Sequence, residues 1–122
     1  MMRGGIMRSQ VGGGNMVAWQ FAAHNNGSQS GAVTLTPSNG ATQESVITGN
    51  ITGITCALSA TYPYVVWDIT TDGNDYTLDA TGFVTDGGDA ITLPDTGKAR
   101  LLFSLDADGT TKHLYLVSTD VA

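Results

Sequence analysis

The sequence predicts an all-β, single-domain fold: a β-sandwich or jelly roll of about 8–10 short antiparallel strands. Three observations predict it. Apolar and polar residues alternate at period two in one short run after another. Clusters of Gly, Asn and Asp separate those runs at close intervals. No window of about eleven residues carries the spacing of an amphipathic helix. The 17 Thr and 16 Gly in 122 residues agree, since both are poor helix interiors and suit strands and turns. Residues 1–15 read as a flexible N-terminal arm and residues 16–122 as the β domain.

Each element has its own pattern. Val17, Trp19 and Phe21 alternate with Ala18, Gln20 and Ala22, and Asn25-Asn26-Gly27-Ser28 ends that strand. Val33 and Leu35 alternate with threonines, and Pro37-Ser38-Asn39-Gly40 makes the next turn. Ser45 to Leu58, interrupted by Gly49 and Gly53, reads as two short strands or one bulged strand with Ile54, Cys56 and Leu58 on one face. Tyr62 to Thr70 is the strongest strand. Val65, Trp67 and Ile69 share one face and Tyr62, Tyr64 and Val66 the other, which requires a strand covered twice or one whose outer face meets a partner. Pro63 puts the start of that strand at an edge.

Asp72-Gly73-Asn74-Asp75 then turns the chain into Tyr76 and Leu78. Phe83-Val84 follows, then the turn Asp86-Gly87-Gly88-Asp89 and the run Ile91 to Leu93. The clearest hairpin pairs Ala99–Leu105 with His113–Ser118 across Asp106-Ala107-Asp108-Gly109, and both arms are apolar on two faces. No internal repeat of about 20–50 residues is evident, which disfavours a solenoid or propeller.

Composition narrows function. Ten of the eleven acidic residues lie after position 61, and the net charge is −6. A phosphate backbone repels such a surface, so nucleic acid is not an expected partner; nor is a membrane, for no run approaches the ~20 apolar residues of a span. Met1 to Ala23 resembles a signal peptide only superficially, because Gly12-Gly13-Gly14 breaks its apolar segment, and export by it is not expected. Cys56 is alone, so the expectation is a small core residue without a disulfide.

Candidate chemistry is sparse. Asp72 and Asp75, or Asp106 and Asp108, offer hard oxygens that would suit calcium. Asp106-Ala107-Asp108-Gly109 opens like an EF-hand loop, yet no Glu follows it to supply the bidentate ligand. Two carboxylates per turn fall short of the six to eight oxygens calcium takes, so no cofactor is expected. Asp and Gly in these positions also serve turn geometry directly. An Asp pair could serve glycoside hydrolysis, but nothing marks one Asp with the raised pKa of a general acid. His24 and His113 are the only imidazoles, no serine sits in a G-x-S-x-G elbow, and Gly97-Lys98 lacks the upstream glycine of a phosphate loop. The expectation is a non-enzyme. Among the aromatics, an inward Trp67 leaves Tyr62 and Tyr64 as surface or interface residues; the reverse assignment fits the alternation equally well.

A Thr- and Gly-rich, acidic, nearly cysteine-free, all-β chain with an N-terminal arm resembles the small structural proteins of tailed-phage particles. Within it, Trp67-Asp68-Ile69-Thr70-Thr71-Asp72-Gly73 is similar to a W-D-x-T-T-D-G stretch of lambda-like head decoration proteins. The likeness covers seven of 122 residues, and the hairpin Ala99–Ser118 does not match that family. It implies a virion location and a homotrimeric cement protein clamped on a capsid shell, its arm reaching a neighbouring subunit. Arg3, Arg8, Val17, Trp19, Tyr62 and Tyr64 are the expected contact residues. The alternative expectation is a carbohydrate-binding or receptor-binding module of a fibre or baseplate tip, built on Tyr62, Tyr64 and an acidic turn with calcium.

Overall fold

The computed structural model describes residues 23–119. The N-terminal arm and the strand expected at Val17–Phe21 lie outside the described residues, and so do the contact residues Arg3, Arg8, Val17 and Trp19. The described residues form β1 (His24–Leu35), β2 (Thr42–Cys56), β3 (Tyr64–Thr71), β4 (Tyr76–Asp79), β5 (Ala90–Leu93), β6 (Lys98–Leu105) and β7 (Lys112–Thr119), with one 3-10 turn at Pro37–Asn39. The fold is all-β. All seven strands belong to one sheet of order β5-β4-β2-β3-β6-β7, and β1 pairs with the remaining edge of β2.

The sheet is mixed, and this corrects the expectation of 8–10 antiparallel strands. β1 runs parallel to β2, and β2 runs parallel to both β3 and β4. Only β4–β5, β3–β6 and β6–β7 are antiparallel. Parallel neighbours ordinarily need a crossover of a dozen or more residues, whereas six residues join β1 to β2. A straight twelve-residue strand is about 40 Å long, and the return from Leu35 to Thr42 can reach only about 25 Å. The strands must therefore bend. Gly27 and Gly31 supply the corners at φ of 73° and 70°, where the β1–β2 register also shifts. The sequence Asn25-Asn26-Gly27-Ser28 is thus a bend inside β1, not its end.

The sheet accordingly curls, and β1, β2 and β3 lie as successive parallel turns of one coil. Leu35 stacks beside Cys56, Gln43 beside Trp67, Ser45 beside Ile69 and Ile51 beside Leu78. One corner recurs on every turn. A Cβ placed on Gly49 would lie 3.0 Å from that of Ser30, and Asn50 Oδ1 accepts the Thr77 N–H at 3.0 Å just after the Asp72–Asp75 turn. Buried Gln43 closes the first turn from inside. Its amide donates to the carbonyls of Thr36 (2.8 Å) and Gly40 (3.0 Å), and its Oε1 accepts from Asn26 Nδ2 at 2.9 Å. Beyond the third rung the hairpins β4–β5 and β6–β7 replace winding by antiparallel pairing.

Period-two alternation fills the coil. Val33, Leu35, Ile47, Ile51, Val65, Trp67, Ile69, Leu78, Leu101, Phe103 and Leu114 point inward and are buried. Trp67 and Phe103 pack with centroids 6.3 Å apart, and Phe83 meets Phe103 edge-on at 5.4 Å. The Trp67 indole N–H donates to Ser45 Oγ at 2.9 Å, so neither polar atom is stranded in the core.

Candidate functional site

With Trp67, Val65 and Ile69 committed to the core, the other face of β3 is outside. Tyr62 and Tyr64 are 43% and 49% exposed, as an inward Trp67 requires. Register builds a surface from this face. Val66 lies opposite Leu102, and Leu102 opposite Tyr115, giving a half-buried apolar row across β3, β6 and β7. Tyr64 and His113 flank it on either side of Ser104, and the His113 and Tyr115 rings stack at 5.8 Å. Directly opposed side chains share a sheet face, so these residues form one contiguous patch. At its margin Arg100 grips Asp68 with two hydrogen bonds of 2.6 and 2.7 Å. The two bonds run from one guanidinium to both oxygens of one carboxylate, and the contact raises the Arg100 pKa further.

A second feature adjoins the start of β3. Tyr62, Pro63 and Tyr64 face Pro37, Ser38 and Ala41 across a groove of about 310 Å³. Pro63 sits immediately before the strand, and its carbonyl accepts from Leu105 N–H at 2.8 Å, fixing the loop against the β6 end. The groove is bordered by rings and small polar groups.

The acidic turns are largely occupied by side-chain and backbone donors of their own segments. Asp72 accepts from Asn74 Nδ2 (2.9 Å) and Tyr76 OH (3.0 Å), which lowers its pKa. Asp108 accepts the Thr110 and Thr111 N–H groups at 2.8 Å and the Thr111 hydroxyl at 2.5 Å, bringing its pKa to about 2. Asp106 accepts the Ala107 N–H at 2.8 Å and faces His113 Nε2 at 3.5 Å. Asp75 is exposed beside Asp72. Among the described residues no three His, Cys, Asp or Glu side chains converge. The candidates Asp72, Asp75, Asp106 and Asp108 are thus not brought together into a cation site.

Cys56 is buried at the end of β2, as its alternating apolar context requires. Desolvation pushes its thiol up to about 11, with Lys112 opposing weakly. Lys112 Nζ donates to the Cys56 carbonyl at 2.8 Å. A thiol in that state is protonated at neutral pH and is no ready nucleophile. His24 is exposed at the start of β1; His113 is half-buried, with a buried Nδ1 that has no hydrogen-bond partner.

The stretch Trp67–Gly73 has a structural task at nearly every position. Trp67 and Ile69 fill the core, Asp68 pairs with Arg100, Thr71 Oγ1 donates to the Pro94 carbonyl at 3.1 Å, and Gly73 turns at φ 99°. Sequence reasoning placed Val66 on the face of Tyr62 and Tyr64 but missed Leu102, Tyr115 and Arg100 as surface-builders. The available signal was that both arms of the last hairpin are apolar on two faces. No protein-family model, curated protein or solved structure matches the chain.

Proposed function

We propose that this chain is a non-enzymatic structural protein of a virus particle. In its most concrete form it is a homotrimeric capsid decoration protein that stabilises a shell by contact. The observation that carries the reading is the apolar row Val66–Leu102–Tyr115 on the outer face, continued by exposed Tyr64 and bordered by the Asp68–Arg100 pair. Aromatic and aliphatic side chains ringed by a fixed ion pair have the anatomy of an interface centre with a polar rim. The resemblance of Trp67–Gly73 to a stretch of head decoration proteins supports a capsid as the assembly in this reading. A stable contact buries about 800 Å² per partner, the scale that the three-strand face of β3, β6 and β7 would have to supply.

The test is the solution mass of the purified chain, with a shell-binding measurement. The expected state is a trimer. Leu102→Glu, which places a charge at the centre of the row but leaves the core untouched, should dissociate it and abolish particle occupancy while the circular dichroism spectrum persists. A chain that stays monomeric at high concentration and binds no shell refutes the proposal.

The groove beside Tyr62 and Tyr64 favours a second reading, a carbohydrate-binding or receptor-binding module. Exposed rings stack on sugar faces, and Ser38 and Thr61 offer hydroxyls nearby. The acidic turn at Asp72 lies beyond the opposite end of β3, so this groove would act without it. A glycan array and a ligand-induced rise in melting temperature, lost in Tyr62→Ala/Tyr64→Ala, would support this reading over the first.

A further inference from the structure

The two terminal strands of the sheet leave a seam between them. Ala80 N–H donates to the Asp89 carbonyl, so the polar groups of Asp89, and by alternation of Ile91 and Leu93, point toward β4. Those of Ala90 and Thr92 point away from it, onto the edge of β5 that no described strand pairs. On the other side, Val84 N–H donates to the Lys112 carbonyl at 2.8 Å and Leu114 N–H to the Val84 carbonyl at 2.9 Å. Val84 therefore runs parallel to β7 as a strand partner one residue long. The chain then leaves, closed into a turn by the Thr85 hydroxyl on the Gly88 carbonyl. By the same alternation Leu116, still in register opposite Leu101, aims its N–H and C=O where Leu114 does. Between these edges lies a groove of about 310 Å³ lined by Thr85, Gly88, Ile91, Leu114 and Leu116.

Of the large exposed apolar residues, Leu116 (40%) lines this seam, and Val84 (51%) and Val117 (54%) are the chain neighbours of its lining residues Thr85 and Leu116. Asp86 lines it, Asp89 adjoins Ala90, and among the described residues no Lys or Arg lines it. We propose that the seam between β5 and β7 accepts an extended segment of another protein as an added strand. The segment is apolar at alternate positions and carries a Lys or Arg that reaches Asp86 and Asp89. Unpaired backbone on facing edges selects an extended chain, because only a strand presents donors and acceptors at the matching spacing. The exposed Val and Leu side chains select alternate apolar residues, and the acidic turn selects a cation. This surface is distinct from the apolar row, with Tyr115 at the border of both, and the inference stands apart from the virion reading.

The experiment is amide hydrogen exchange by NMR on the full chain. The probe is a short end-blocked peptide alternating Val and Thr between terminal Lys residues; its controls are the same peptide N-methylated on alternate residues and one with Glu for Lys. Saturating peptide should slow exchange at Ala90, Thr92 and Leu116 at least tenfold, and neither control should. Asp86→Asn/Asp89→Asn should weaken binding several-fold, more at low salt. Ala90→Pro deletes an outward N–H without touching the β4 ladder, and should abolish binding; if it fails to fold, the N-methylated control on the unaltered chain still decides. Unchanged exchange at these three amides, or equal binding by the N-methylated peptide, overturns the proposal. Protection that rises with protein concentration alone, with no peptide effect, assigns the seam to a second copy and overturns it equally.

Discussion

Gln43 is the residue on which closure of the first coil depends, and Gln43→Leu tests that directly. The side chain is fully buried and makes three hydrogen bonds, to the carbonyls of Thr36 and Gly40 and from the amide of Asn26. Leucine preserves most of the volume and removes all three. Each bond contributes about 1 kcal/mol net, and a buried group left unpaired costs about 1–3 kcal/mol. The Thr36 carbonyl keeps the Asn39 N–H at 3.0 Å, so its loss is partial, and the added apolar burial offsets about 1 kcal/mol. The expected destabilisation is about 2–3 kcal/mol. At about 3–5 °C per kcal/mol for a chain of this size, the melting temperature should fall by about 6–15 °C. Urea unfolding followed by circular dichroism measures it. Asn26→Ala, which removes one bond from the same centre, should cost about 1 kcal/mol. A Gln43→Leu variant within about 0.5 kcal/mol of the parent would refute the claim that this amide staples the coil.

Further outcomes follow from single contacts. Ser45→Ala should destabilise by about 1–3 kcal/mol because it strands the Trp67 indole N–H in the core, and Trp67→Phe/Ser45→Ala should be less than additive, a coupling read from a double-mutant cycle in urea. Asp108 has a folded pKa of about 2, below its unfolded value; its contribution is therefore full above about pH 4 and lost as pH falls toward 2. An NMR titration should place its carboxyl midpoint near 2, and Asp108→Asn should remove that part of the acid dependence. Cys56, held at about 11 by burial, should resist iodoacetamide in the native state at neutral pH and react only as the chain unfolds, which alkylation against urea concentration reports.

Much of the strand content was legible because side-chain alternation is a local property. Val65, Trp67 and Ile69 share one face by spacing alone, and the Ala99–Ser118 hairpin is announced by its Asp-Gly turn. Pairing direction was not legible, since a period-two strand reads the same beside a parallel or an antiparallel neighbour. Nor did the winding show as a repeat. The stacked pairs differ chemically, with Leu35 over Cys56, Gln43 over Trp67 and Ser45 over Ile69, and the offset between them grows along the chain. A fully buried glutamine flanked by Thr42 and Glu44 looks like surface until its carbonyl partners are known. The apolar row was half legible. The hairpin advertised two apolar faces, but only register puts Val66, Leu102 and Tyr115 on one line.

The coil also accounts for where the contact surfaces sit. Winding β1, β2 and β3 in parallel satisfies their backbone groups along one stack, and the return segments need only six or seven residues. The third rung cannot be continued by the sequence that follows. Asp72-Gly73-Asn74-Asp75 turns the corner from β3 into β4, still parallel to β2, but the segment through Asp86-Gly87-Gly88-Asp89 reverses the chain into β5, and β6 folds back antiparallel on β3. That switch spreads β3, β6 and β7 into a face whose inner residues complete the core, while its outer residues inherit the apolar excess of two-faced strands. Among the described residues it also ends the sheet at β5 and β7, two edges that come close without pairing with each other. The apolar row and the seam are thus consequences of one topological event, the change from parallel winding to antiparallel hairpins. If so, substitutions that harm the first coil, such as Gln43→Leu, should lower stability while leaving peptide capture at the seam intact under folded conditions. Leu116→Asp should do the reverse.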